Sequence, residues 1–180
     1  DSSTSRGLGD VYKRQELELY YQPIVRLSTG QVTGFEALVR WQHAEQGLLF
    51  PSRFISMAEE TGLIIPLSWW ILRTACRQMS QWRQMFPENA GLTMSVNLSS
   101  KQFSMSSLAD QIQQILQESN LEPTSLKLEL TESMVMEDAA NVVDMLYQLR
   151  ALGIRLAIDD FGTGYSSLSY LPRFPLTTLK

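Results

Sequence analysis

Apolar and polar positions along this chain switch repeatedly between a two-residue and a three-to-four-residue period. Leu17–Val25 and 32–40 read as strands, and three later segments alternate strictly. In 92–98, Leu92, Met94, Val96 and Leu98 share one face while Thr93, Ser95 and Asn97 share the other. In Leu126–Thr131, Leu126, Leu128 and Leu130 oppose Lys127, Glu129 and Thr131; in 154–159, Ile154, Leu156 and Ile158 oppose Arg155, Ala157 and Asp159. Helical patterns fill the gaps. Pro51 opens a short helix that ends near Gly62, with proline first and glycine last. Ile71, Leu72, Ala75, Cys76, Met79, Trp82 and Phe86 mark a longer helix, and Leu108, Ile112, Ile115 and Leu116 a third. Val142, Val143, Leu146, Leu149 and Leu152 mark a fourth, closed by Gly153, and another strand begins at Leu176.

Strands alternating with helices predict an α/β fold with a largely parallel sheet. An open doubly wound sheet is covered on both faces and has near-continuous apolar strands. Strands with one polar face instead suit the inside of a barrel near its mouth, where chemistry sits at the carboxyl ends of the strands.

Composition narrows this further. Apolar residues at 44% provide a core, and charged residues at only 19% exclude a disordered, collagen-like or coiled-coil chain. A net charge of -4 argues against a nucleic-acid polymer as partner, since that binding leans on clustered Lys and Arg. The single Cys76 forms no internal disulfide and no Cys/His group suggests zinc. The longest apolar-looking stretch, 63–72, contains Pro66 and Ser68 and is short of the ~20 residues a span needs, so no membrane contact is expected within this segment. Residues 1–15 are polar, rich in Gly and Ser and without apolar period; they read as a non-native tail or a linker, leaving 16–180 as the domain. The strand pattern opening at 175–180 stops as it starts, so the domain reads as incomplete at its C-terminus.

The polar parity carries the candidate chemistry. Glu36, Asn97, Glu129 and Asp159 each fall late in successive predicted strands, and Asp160 follows at once. Carboxylates converging at one mouth repel unless a cation is present. Oxygen donors without His or Cys suit Mg²⁺ or Mn²⁺, and two such ions ~4 Å apart serve phosphate-ester hydrolysis. The alternative is a set of solvated strand-end acids. Arg40 shares parity with Glu36 and is placed either to bind a phosphate or to pair with a neighbouring acid. Lys180, on the next strand, either acts on the attacking water or phosphate or is an exposed terminal lysine. Asp160-Phe161-Gly162 matches a kinase triplet without its catalytic loop, and Gly162-x-Gly164 is only a partial dinucleotide fingerprint. His43 reads as solvated, Cys76 as core, and Trp69 and Trp70 as packing.

Five segments in order then become recognisable: Tyr21-Gln-Pro-Ile24, Glu36-Ala-Leu-Val-Arg40-Trp41, Val96-Asn-Leu-Ser99, Leu128-Glu-Leu-Thr-Glu132 and Asp159-Asp-Phe-Gly-Thr-Gly-Tyr-Ser-Ser-Leu168. Together they resemble the EAL domain of bacterial cyclic di-GMP phosphodiesterases, from about Glu16 to Lys180. The resemblance implies a TIM-like (β/α) barrel of the EAL type, here incomplete at the C-terminus, and Mg²⁺- or Mn²⁺-dependent hydrolysis of cyclic di-GMP to linear pGpG. It implies Glu36, Asn97, Glu129, Asp159 and Asp160 as metal ligands, with Glu36 and Lys180 catalytic. Arg40 would contact substrate phosphate, Gln22 would lie in the substrate pocket, and Glu132 would anchor the loop after Asp160. It further implies a homodimer for a full-length domain, an upstream sensory or GGDEF domain, and a cytoplasmic location, with any inner-membrane tether lying upstream. A full barrel takes typically ~250 residues, against 180 here, so this segment alone is expected to be weak or inactive. The competing expectation is a non-catalytic cyclic di-GMP-binding or protein-interaction module on the same scaffold.

Overall fold

The structure, a computed structural model, describes residues 16–89, 91–136, 139–160 and 174–179. It opens on a hairpin. β1 (Leu17–Val25) runs antiparallel to β2 (Val32–His43), with Leu17 opposite Trp41 and Gln22 opposite Glu36. β2 outruns the strand predicted for it. Its last residues pair with β3 (Gly47–Leu49), a short strand that leaves no two-residue period to detect. Since Trp41 pairs with both Leu17 and Leu49, β1 and β3 occupy opposite edges of β2.

The predicted helix after Pro51 is a single 3₁₀ turn followed by α1 (Ile55–Glu60), and Gly62 with φ 76° ends it. α2 (Ile64–Met85) then spans 22 residues. Pro66 sits within its first turn, where no backbone N–H is needed for an internal bond. Buried Leu67, Leu72, Ala75, Cys76 and Met79 form the stripe it lays on the sheet. β4 (Thr93–Asn97), α3 (Ser100–Phe103), α4 (Leu108–Ser119), β5 (Leu126–Thr131), α5 (Glu132–Met136), α6 (Ala139–Ala151), β6 (Arg155–Asp159) and β7 (Thr178–Leu179) follow. The sheet order is β1-β2-β4-β5-β6-β7, with every pair from β2–β4 onward parallel.

The predicted alternation holds with one addition. Met94, Val96, Leu126, Leu128, Leu130, Leu156 and Ile158 are buried against the helices, as expected of the apolar parity. At ~1.5–3 kcal/mol for each fully buried aliphatic, this layer dominates the stability. The middle of the polar parity is enclosed as well. Thr93, Ser95 and Glu129 are buried and Ala157 is fully so, as the inner face of a curved sheet would be. A second apolar group, including Val39, Trp41, Phe54, Ala58 and Leu67, packs the far end of β2 against α1 and the start of α2. The two shortest helices, α3 and α5, were not predicted, because neither is long enough to show a helical period.

Candidate active site at the carboxyl ends of the strands

β2 sets the level of the site. Its parallel pairing with β4 ends near Ala37↔Val96, so Glu36, although in the middle of β2, stands at the top of the parallel sheet. Asn97 follows at the last position of β4, and its Nδ2 donates to Glu36 Oε1 at 3.0 Å. That bond leaves the amide oxygen of Asn97 as its ligand-capable atom. Asn97 is in register with Glu129, Glu129 with Ala157, and Thr131 with Asp159. The polar row therefore climbs two residues between β2 and β4, and again between β5 and β6. Strands tilted in a barrel require such a stagger to keep side chains at one height. Gln22, exposed on β1, sits directly across from Glu36.

Burial differs along the row. Glu129 is 1% exposed, Glu36 and Asp159 are half-buried, and Asn97 and Asp160 are exposed. Asp160 has φ 55°, in the left-handed region, and its backbone N–H donates to Asp159 Oδ1 at 3.0 Å. Asp tolerates this region better than most non-glycine residues. Glu132 opens α5 immediately after β5 and is buried. The loop between β4 and α3 is tied down from below: Ser99 caps α3 by accepting from the Gln102 backbone, and Ser68 on α2 donates to Ser99 Oγ at 3.2 Å.

The donors at this mouth are carboxylate and amide oxygens, which suit a hard divalent cation in kind. Among the described residues, however, no three His, Cys, Asp or Glu side chains gather closely enough to hold an ion. The row is aligned in register, and a side-chain hydrogen bond joins two of the predicted ligands, Glu36 and Asn97. Lys180 and residues 161–173 lie outside the described residues.

Arg40 stands apart from the acids. Its Nη1 donates to the Val39 carbonyl at 2.8 Å, and among the described residues it has no ion pair, although Glu18 lies across from it on β1. Its guanidinium rests instead against two rings, 4.5 Å from the centroid of Phe50 and 5.6 Å from that of Tyr20. Neither aromatic was singled out from the sequence. Tyr20 shares strand parity with Gln22 and could have been found that way; nothing local marks Phe50. An apolar crevice of about 180 Å³, lined in part by Phe35, Trp82 and Leu92, lies at the opposite end of the sheet, by the amino ends of β2 and β4.

The family model for the EAL domain matches residues 5–180. The chain belongs to the EAL domain family. The bifunctional diguanylate cyclase/cyclic di-GMP phosphodiesterase MucR of Pseudomonas aeruginosa is 45% identical over 173 residues, covering 96% of this EAL chain and 25% of MucR. The cyclic di-GMP phosphodiesterase PdeR of Escherichia coli is 41% identical over 173 residues, covering 96% of the chain and 26% of PdeR. The EAL chain thus spans about a quarter of the length of these curated relatives. A solved structure of the MucR phosphodiesterase in complex with cyclic di-GMP superposes with a TM-score of 0.92 at 44% identity, covering 97% of this chain and 70% of that one. That match makes the observed sheet part of an EAL domain of TIM-like barrel type. No helix among the described residues of this EAL chain is long and apolar enough to cross a membrane.

Proposed function

We propose that this domain hydrolyses cyclic di-GMP to linear pGpG, with Mg²⁺ or Mn²⁺ held by Glu36, Asn97, Glu129, Asp159 and Asp160. The observation that carries this is the oxygen-donor row in register across β2, β4, β5 and β6, on a fold 44% identical to a phosphodiesterase solved with cyclic di-GMP. When bound, two such ions supply a nucleophile at neutral pH and offset charge on the phosphate. The chain's own residues do the rest. Arg40 receives a phosphate oxygen with the donors its single backbone bond leaves open. Gln22 lines the pocket beside Glu36, Glu132 anchors the loop after Asp160, and Lys180 orients the attacking water. One P–O bond to a ribose 3′ oxygen breaks, a bond from the water oxygen forms, and the 3′ oxygen leaves as a hydroxyl.

A homodimer, an upstream sensory or GGDEF domain and a cytoplasmic location belong to the same reading. The name of MucR, which joins a diguanylate cyclase to a phosphodiesterase, supports the second of these. Among the described residues β1 and β7 stand at opposite ends of the sheet order without pairing, so turnover by this chain alone is expected to be weak. Incubation with cyclic di-GMP and Mn²⁺, with pGpG read by chromatography, tests the proposal. Glu36→Ala should lower the rate by at least about tenfold to a hundredfold, the range seen when the partners of metal ligands are removed. A second reading, binding without turnover, is favoured by the absence of three converging acids among the described residues. Saturable binding by the unaltered chain with no Glu36-dependent pGpG would establish that reading instead.

A further inference from the structure

β2 carries Glu36 and Arg40 on the same face, and four residues of strand separate them by about 13 Å. A ligand of dinucleotide size can reach both. At the far end of that span Arg40 is met from both edges of its strand. Tyr20 comes from β1 on one edge, and Phe50 follows β3 on the other. Both rings remain open to solvent, Phe50 at 54% and Tyr20 at 46% exposed. Single exposed apolar residues are ordinary; two half-exposed rings around one cation that has no acidic partner among the described residues are not scattered surface. A guanidinium stacked on a ring is held flat, keeps its charge and still offers several N–H donors along its edge. The ring area left over is a platform for another flat group, and it lies beside the edge where a phosphate would dock.

Building on the cyclic di-GMP reading of this mouth, we infer that Tyr20 and Phe50 are specificity-determining residues that take one purine base of the ligand, next to the phosphate contacted by Arg40. Base stacking on an aromatic side chain is worth ~1–3 kcal/mol by alanine substitution, about five- to a hundredfold in affinity. A guanine offers more surface to such a platform than a uracil, so the rings should matter more for a purine ligand than for a pyrimidine one.

The test is calorimetric titration of the 180-residue chain and its F50A, F50W and Y20A variants with cyclic di-GMP and with cyclic di-UMP. F50A should weaken cyclic di-GMP at least about fivefold and cyclic di-UMP clearly less, narrowing the preference between them; Y20A should do the same more mildly. F50W, which keeps a flat ring, should stay within about twofold of the unaltered chain. Equal binding by F50A and the unaltered chain overturns the inference while leaving the cyclic di-GMP reading intact. So does an equal loss for both nucleotides, or a loss in F50W as large as in F50A, since either marks a merely structural ring. Failure of the unaltered chain to bind cyclic di-GMP sinks both.

Discussion

Gly34 lies where the hairpin joins the parallel sheet, paired with Thr93 at the first rung between β2 and β4. A Cβ built there falls inside contact distance of the Thr93 carbonyl oxygen and 2.5 Å from Thr93 Oγ1, with the carbonyl carbon at 3.2 Å. Since neither the backbone carbonyl nor a 5% exposed threonine has room to swing away, Gly34→Ala must push the two strands apart by roughly half an ångström to one ångström. Overpacking of that order costs ~1–3 kcal/mol. In a domain of this size 1 kcal/mol shifts Tm by ~2–4 °C, so melting should fall by about 2–12 °C. The site should suffer beyond its share of stability. Glu36 is two residues from Gly34, and a shift of that size takes the 3.0 Å bond from Asn97 out of hydrogen-bonding range. A misplacement near 1 Å can cost ~100-fold in rate. The matched control is Gly91→Ala, where a Cβ meets nothing within 4 Å, so stability should hold or rise by up to ~1 kcal/mol. Melting of Gly34→Ala within about 1 °C of the unaltered chain, with unchanged Glu36-dependent turnover, would refute the close approach.

Three further outcomes follow from other contacts. Arg83 Nη1 donates at 2.7 Å to the hydroxyl of buried Ser125, stapling α2 to the turn before β5; Arg83→Ala should cost ~1–3 kcal/mol in urea unfolding, and a double-mutant cycle with Ser125→Ala that shows no coupling would dismiss the staple. Burial pushes the Cys76 thiol up from 9.0 to about 12 and the Tyr21 phenol up from 10.0 to about 12; both release protons more readily unfolded, so stability should be intact below pH 9 and fall as pH rises from 9 to 12, and a flat urea midpoint across that range in the unaltered chain would contradict this. Mn²⁺ at 100 times its Kd should stabilise the chain by ~2.7 kcal/mol, raising Tm by several degrees; an equal rise in Glu36→Ala and Glu129→Ala would show that the ion binds elsewhere.

Strand parity made the polar row readable because a period of two assigns every residue of a strand to a face. Leu128, Glu129 and Leu130 needed only their order to be sorted. What the sequence hid were features without a period. β3 is three residues long, α3 is four, and Phe50 reaches Arg40 only because β3 folds back along β2. The length of β2 was also underread. The strand runs past its predicted end at Arg40: Trp41 is 1% exposed, packs edge-on against Phe54 and donates its indole N–H to Glu16. His43, read as solvated, caps the β2–β3 turn by accepting from the backbone N–H groups of Glu45 and Gln46 through Nδ1. Cys76 lies in the core as its helical spacing indicated, and Trp69, read as packing, lies there too.

The alternation that exposes the site also fixes how rigid it is. Each of the four candidate ligands that lie on strands has a neighbour in sequence with almost no exposure: Ala37 beside Glu36, Val96 and Leu98 beside Asn97, Leu128 and Leu130 beside Glu129, Ile158 beside Asp159. Those neighbours point into the helix layer, so the packing that stabilises the fold also sets the height and direction of every oxygen at the mouth. A buried carboxylate such as Glu129 opposes folding unless its charge is met, and the aliphatics on either side of it supply the offset within the same strand. Core and site are therefore two faces of one set of strands. A large-to-small change at Leu128 or Ile158 will act on the ligands it never touches, through the backbone they share.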